Sequence, residues 1–108
     1  MNIENTKAQM RKGVLEYCIL CIISNKAVYP GDIVEKLKDA DLLVVEGTLY
    51  PLLTRLKNME LLSYEWQEST QGPPRKYYSL TQKGKLFLNE LHVTWNELKN
   101  SVNKSIQL

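Results

Sequence analysis

The sequence predicts a mostly α-helical fold carrying a single two-stranded β-hairpin and ending in a long helix. Three observations predict it. Leu49, Leu52, Leu53 and Leu56 recur at helical spacing; Leu61 to Glu68 alternates in side-chain character; and Thr81 opens a stretch whose apolar residues step by threes and fours as far as Val102. A chain of 108 residues has room for one core and an appended element.

The first helix is expected from about Lys7 to Ser24, because Met10, Val14, Tyr17, Cys18 and Cys21 fall on one helical stripe. Ser24-Asn25-Lys26 ends it. Pro30 suits the first turn of a second helix reaching about Asp39, with Ile33, Val34 and Leu37 turned inward. Asp39-Ala40-Asp41 breaks that helix, and Leu42 to Val45 is an apolar connector. A third helix runs from about Gly47 to Glu60, with its leucines on one face. Thr48, Tyr50, Pro51, Thr54, Arg55, Lys57 and Asn58 lie on the opposite face. Pro51 is tolerated near the helix start, where its missing N–H costs little.

Leu62, Tyr64 and Trp66 then share one side of a strand, and Arg75 to Leu80 provides its partner. Ser69-Thr70-Gln71-Gly72-Pro73-Pro74 between them reads as the turn. Thr81 is the expected N-cap of a last helix to about Ile106. Leu88, Leu91, Trp95, Leu98 and Val102 make a seam along it that asks for a partner helix, so these five are the candidate dimer interface.

Composition narrows the function. Hydrophobic residues make up 44% and charged residues 24%, which is globular usage and excludes a disordered chain. The longest apolar run, Tyr17 to Ile23, is far short of the ~20 residues a membrane span needs, and the first residues form no apolar signal core. A cytoplasmic protein with no membrane partner is therefore expected. Cys18 and Cys21 make a C-x-x-C inside an apolar helix, without a second pair or a nearby histidine to build a zinc site, so they read as small hydrophobes. His92 is the only histidine, and there is no phosphate loop, catalytic carboxylate pair or nucleophile elbow. No metal, no cofactor and no enzymatic activity are expected.

Net charge is only +2, but its distribution is uneven. Ser69 to Lys85 holds Arg75, Lys76, Lys83 and Lys85 and no acid, whereas Asp32, Glu35, Asp39, Asp41 and Glu46 cluster earlier. Three helices, a hairpin and a helix, in that order, with a basic hairpin, make a winged helix-turn-helix over residues 1–80 and a C-terminal dimerisation helix over residues 81–108. In that arrangement the third helix is held out for a major groove, and the hairpin, or wing, lies against the adjacent backbone.

The segment from Gly47 to Leu56 (GTLYPLLTRL), then Leu61-Leu62, then Gly72 to Gly84 (GPPRKYYSLTQKG), resembles the PadR-like family of bacterial transcriptional regulators, in its small form with a single C-terminal helix. Two segments depart from the family pattern: Tyr29-Pro30-Gly31-Asp32 stands where an aromatic-Gly-aromatic-Glu run is usual, and Pro73-Pro74 precedes Arg75 in the wing. The resemblance implies a homodimer on a double-stranded DNA operator, acting as a repressor and released in some members by a small molecule.

On that basis Thr48, Tyr50, Pro51 and Thr54 are candidates to approach bases or phosphates, while Arg55, Lys57, Arg75 and Lys76 are candidates for the phosphate backbone. Two of them have a second reading: Tyr50 as a residue packed under the wing, and Arg55 as the ion-pair partner of Glu46 or Glu60. Tyr77 and Tyr78 point to opposite faces of their strand, so one belongs to the core, and Trp66 is expected to cover the hairpin. Trp95 reads either as an interface anchor or, with its symmetry mate, as the wall of a slot for a small aromatic effector. Leu91, Met10 and Val14 are the other candidates for that slot. The competing function is a winged-helix module that docks a protein and has little affinity for DNA. A redox sensor built on Cys18 and Cys21 is a third.

Overall fold

The computed structural model describes residues 2–108; Met1, the first residue of the expected 1–80 unit, lies outside them. The order is α1 (Ile3–Asn25), α2 (Pro30–Asp39), α3 (Glu46–Asn58), β1 (Leu62–Ser69), β2 (Gly72–Leu80) and α4 (Gln82–Gln107). These four helices and one antiparallel hairpin form a winged helix.

α1 begins at Ile3, one turn ahead of the expected start, because the Asn2 side chain accepts a hydrogen bond from the Glu4 amide at 3.0 Å. Its buried face is Ile19, Leu20 and Ile23. The expected stripe flanks that face: Val14, Tyr17, Cys18 and Cys21 are half-buried, and Met10 is 74% exposed. The reason is geometric, since the first half of α1 runs out past the core, and the side of it that faces the connector borders an open groove rather than packing closely. α2 is capped by Tyr29 and closed by Asp41, whose φ of 61° allows the Leu42 amide to reach the Leu37 carbonyl at 2.8 Å. Ile33 and Leu37 are fully buried.

α3 stops at Asn58, short of the expected Glu60. Glu60 itself takes φ 64°, and the Leu61 amide bonds back to the Leu56 carbonyl at 3.0 Å, a left-handed helix stop that turns the chain into β1. Leu49, Leu53 and Leu56 are buried to within 1%. Burying each is worth about 2 kcal/mol, so apolar packing fixes the angle of α3 against the body.

The hairpin is longer than the sequence suggests. β2 starts at Gly72, leaving only Thr70 and Gln71 as the loop. Between the pairs Gln67↔Arg75 and Ser69↔Gly72 the register shifts, so that Pro73 and Pro74 oppose Glu68 alone. Such a bulge removes the need for the amide hydrogens that the two prolines lack, which is why a segment rich in turn residues is strand. The far edge of β2 is also occupied. Val28 and Tyr78 exchange two backbone hydrogen bonds, at 3.0 and 2.8 Å, joining the α1–α2 connection to the wing. Val28 and Tyr78 both turn into the core, leaving Tyr77 on the other face as expected of one of the two tyrosines.

Thr81 caps α4, its hydroxyl oxygen accepting from the Gly84 amide at 2.9 Å and its hydroxyl donating to the Glu60 carbonyl at 2.6 Å. Gly84 and Leu88 are the buried residues of this helix. From His92 to Leu108 every residue is exposed. The radius of gyration, 15.7 Å, exceeds the ~13 Å of a compact chain of this length because α1 and α4 both project from the core.

Candidate nucleic-acid interface

Helical geometry divides the exposed side of α3 into three rows. Gly47, Pro51, Thr54 and Asn58 point straight away from the buried leucines. Tyr50 and Lys57 flank them on the wing side. Thr48 and Arg55 flank them on the α1 side, and there the sequence reading needs correcting. Arg55 Nη1 donates to Glu16 Oε1 of α1, so its ion-pair partner is neither Glu46 nor Glu60. Thr48 lines a groove with α1 and the connector. Tyr50 is 47% exposed and borders the wing residues Trp66 and Arg75 across a shared cleft.

The wing meets this surface with a ladder of cations and rings. Lys57 Nζ lies 5.8 Å from the Tyr64 ring centroid, and Lys76 Nζ lies 4.5 Å from the same ring and 5.3 Å from that of Trp66. The pairs Tyr64↔Tyr78 and Trp66↔Lys76 place these groups on one face of the hairpin, the side chains alternating along each strand. Trp66 lies edge-on to Tyr64, with 62% of its surface open. On the opposite face the Arg75 guanidinium sits 4.3 Å above the Tyr29 ring. Tyr29, Gly31, Glu46, Tyr50, Trp66 and Arg75 thus surround a small cleft of about 280 Å³ where α2, α3 and the wing converge. The structure brings Tyr50, Arg75 and Lys76 to the rim of one cleft, sets Lys57 beside Tyr64 on the wing side of α3, and turns Thr48 and Arg55 toward α1.

On the α1 side of α3, two features escape the sequence reading. Glu16 is 39 positions from Arg55, and no local pattern pairs them. The groove between α1, the connector and α3, about 470 Å³, is lined by Arg11, Leu15, Leu43, Val45, Thr48 and Leu52. Its signal was the apolar run Leu42 to Val45 outside any helix, of which Leu43 is 79% and Val45 71% exposed.

Among the candidates for a slot, Trp95 lies 6.4 Å, ring to ring, from Tyr17 of α1, whose hydroxyl hydrogen-bonds His92 Nδ1 at 2.6 Å. Leu91 is partly buried against the core, Val14 is half-buried, and Met10 stands two turns of α1 away from Tyr17 in solvent. In the candidate seam, Leu88 belongs to the core of its own chain. Trp95, Leu98 and Val102 are exposed, at 37%, 51% and 50%. Cys18 and Cys21 are free and half-buried, and burial pushes both thiols up, away from the reactive thiolate form. Among the described residues no cluster of side chains is suited to hold a metal ion, and no helix is long and apolar enough to cross a membrane.

Residues 19–90 match the family described as the transcriptional regulator PadR-like family. The chain belongs to that family. It is 65% identical to a PadR-like transcription factor from Bacteroides fragilis, over 93% of this chain and 97% of that one, with a TM-score of 0.78. A PadR-like transcriptional regulator from Bacillus cereus is 42% identical, over 93% of this chain and 98% of its own, with a TM-score of 0.81. The fold is also that of Bacillus subtilis PadR, solved in complex with operator DNA; there identity is 23%, coverage is 74% of this chain and 47% of that one, and the TM-score is 0.68. This PadR-like chain is therefore a transcriptional regulator.

Proposed function

We propose that this PadR-like regulator is a homodimeric, sequence-specific DNA-binding repressor, released from its operator by a small aromatic effector. The observation that carries the DNA reading is the outward row of α3 flanked by cations on both faces of the wing, Lys57 and Lys76 beside Tyr64 and Arg75 beside Tyr29. Base edges are read by polar side chains on a helix, Tyr50 and Thr54 here, while cations on either side hold phosphates and fix the register. Pro51, at the centre of the row, brings an apolar surface to a groove. Thr48 and Arg55 are left with supporting roles beside α1. The operator complex of the distant Bacillus subtilis relative supports the same reading.

The homodimer is supported by two exposed apolar features that suit each other: the outer half of α4, with Leu98, Val102 and Ile106, and the groove at α1 and the connector. On this reading residues 81–108 serve mainly as the dimerisation element of the winged unit. Two copies of Trp95 brought together across a two-fold axis would wall a slot, with Tyr17, Val14 and Leu91 behind them and the exposed Met10, two turns of α1 farther out, at its outer end.

The test is a fluorescence-anisotropy titration against the DNA upstream of its own gene and a scrambled duplex, each at two salt concentrations. Tight, sequence-preferring binding that weakens steeply with salt is expected, because phosphate contacts release counterions. Weak, salt-insensitive binding equal on both duplexes would favour a protein-docking winged helix instead. With Trp66 replaced by phenylalanine, a planar hydrophobic dye is expected to quench Trp95; an unquenched signal rejects the slot.

A further inference from the structure

The sequence offers Arg75 as one of several basic residues on the wing, and the structure shows what holds its side chain. Val28 pairs with Tyr78 on the outer edge of β2, and the residues next to them, Tyr29 and Tyr77, therefore share the opposite face of the sheet. Their rings pack at 5.6 Å. Arg75, two positions along the strand on that same face, lays its guanidinium 4.3 Å over the Tyr29 ring. Gly31 leaves the space in which the ring lies, since a Cβ there would come within 2.6 Å of Tyr29 Cε2.

Stacking on a ring face leaves the donors of a guanidinium free, because all five N–H groups lie in its plane. Among the described residues Arg75 forms no ion pair with a carboxylate. Its charge is thus oriented without being neutralised.

We infer that Tyr29 is a positioning residue for DNA binding: its ring orders Arg75 of the wing over the first turn of α2, ready for a backbone phosphate. The inference rests on the DNA-binding reading given above. Tyr29 itself needs no contact with DNA. A long cation that would otherwise lose its rotamer freedom on binding has already lost it in the free protein. A phosphate entering beside the first turn of α2 then meets an oriented guanidinium.

The test compares wild type, Tyr29→Ala, Tyr29→Phe, Gly31→Ala, Arg75→Ala and the Tyr29→Ala/Arg75→Ala pair in titrations on the upstream duplex across a salt series. Tyr29→Ala is expected to weaken binding about 2- to 5-fold for each wing engaged, the scale of an exposed cation–ring contact. The salt slope stays the same, because Arg75 keeps its charge. Tyr29→Phe keeps wild-type affinity. Arg75→Ala lowers the slope by about 0.9 for each lost phosphate, and Tyr29→Ala adds nothing in that background. Tyr29 caps α2 without a side-chain hydrogen bond, so its replacement leaves the helix hydrogen bonds in place.

Gly31→Ala provides a variant whose folding is not at risk. Alanine is the better helix former, and the three atoms nearest its Cβ all belong to the Tyr29 ring, which it displaces. It is expected to reproduce the loss of affinity without a lower melting temperature. If wild type binds but Tyr29→Ala and Gly31→Ala bind equally well, or if Tyr29→Ala costs as much without Arg75 as with it, the role of Tyr29 is overturned. If wild type shows no salt-dependent binding, the DNA-binding reading is overturned.

Discussion

Replacing Gly84 with alanine is expected to destabilise the chain by about 3 kcal/mol, at the upper end of what overpacking costs. In a domain of this size that lowers the melting temperature by roughly 10–20 °C. A Cβ at Gly84 would stand 2.1 Å from the Leu61 carbonyl oxygen and 3.0 Å from its carbon, both backbone atoms that no rotamer change can move away. The helix would have to withdraw. The same carbonyl accepts the Thr81 amide at 3.1 Å, and the Thr81 hydroxyl bonds Glu60, so withdrawal also breaks the joint between α4 and the end of α3. Gly13 is the control: it is helical, and a Cβ there meets nothing within 4 Å. Gly13→Ala should gain up to about 1 kcal/mol from helix propensity alone. Thermal denaturation of both variants checks the prediction, and a Gly84→Ala protein as stable as wild type would contradict the close docking of α4.

The second large effect is on binding. Removing both wing cations, Arg75→Ala with Lys76→Ala, is expected to lower the salt slope by about 1.8 for each wing. Each phosphate contact contributes about eightfold at 0.1 M salt relative to 1 M, so the pair is worth roughly 60-fold per wing. Because phosphates carry no sequence information, affinity should fall on operator and scrambled duplex alike, leaving their ratio unchanged. Thr54→Ala, in the outward row of α3, should do the reverse: a smaller loss, concentrated on the operator. Titrations on both duplexes separate the two. A wing variant that changed the preference between duplexes would move Arg75 or Lys76 from the backbone to a base edge.

How far each feature could be read from the sequence depends on its range. The leucines of α3, the Thr81 cap and the alternation in β1 are local patterns, set by one helical turn or one strand pair, and the structure has them where they were expected. The stop of α3 rests on a residue type that gives little warning, since Glu60 is not a common left-handed residue. Pro73 and Pro74 argued for a turn because their missing amides forbid regular pairing; only the bulge opposite Glu68 makes strand possible. Features of long range were not visible. Glu16 meeting Arg55, Val28 pairing with Tyr78, and Tyr29 lying under Arg75 each need the tertiary fold to bring distant residues together. Gly84 falls within the motif that marks the family resemblance, but only the Leu61 carbonyl against its Cα explains why a glycine stands there.

These distinctions also sort the basic residues. Arg55 is a candidate for phosphate from its place on the polar face of the third helix, yet it lies on the α1 side of α3 and is tied to Glu16. Such a partly exposed pair contributes at most about 1 kcal/mol, less than the burial of any one leucine beneath it. Lys57, Arg75 and Lys76 stack near aromatic rings and, among the described residues, form no ion pair, which orders them and leaves their charge available.

The central claim is that DNA is held by the outward row of α3 together with the wing. Backbone amide NMR of the labelled protein, recorded as the upstream duplex is added, tests it most directly. The largest shifts are expected from Gly47 to Asn58 and from Gly72 to Tyr77, with the outer half of α4 unchanged. Shifts centred on the connector Leu42 to Val45 and on the exposed half of α4, with α3 and the wing silent, would contradict it.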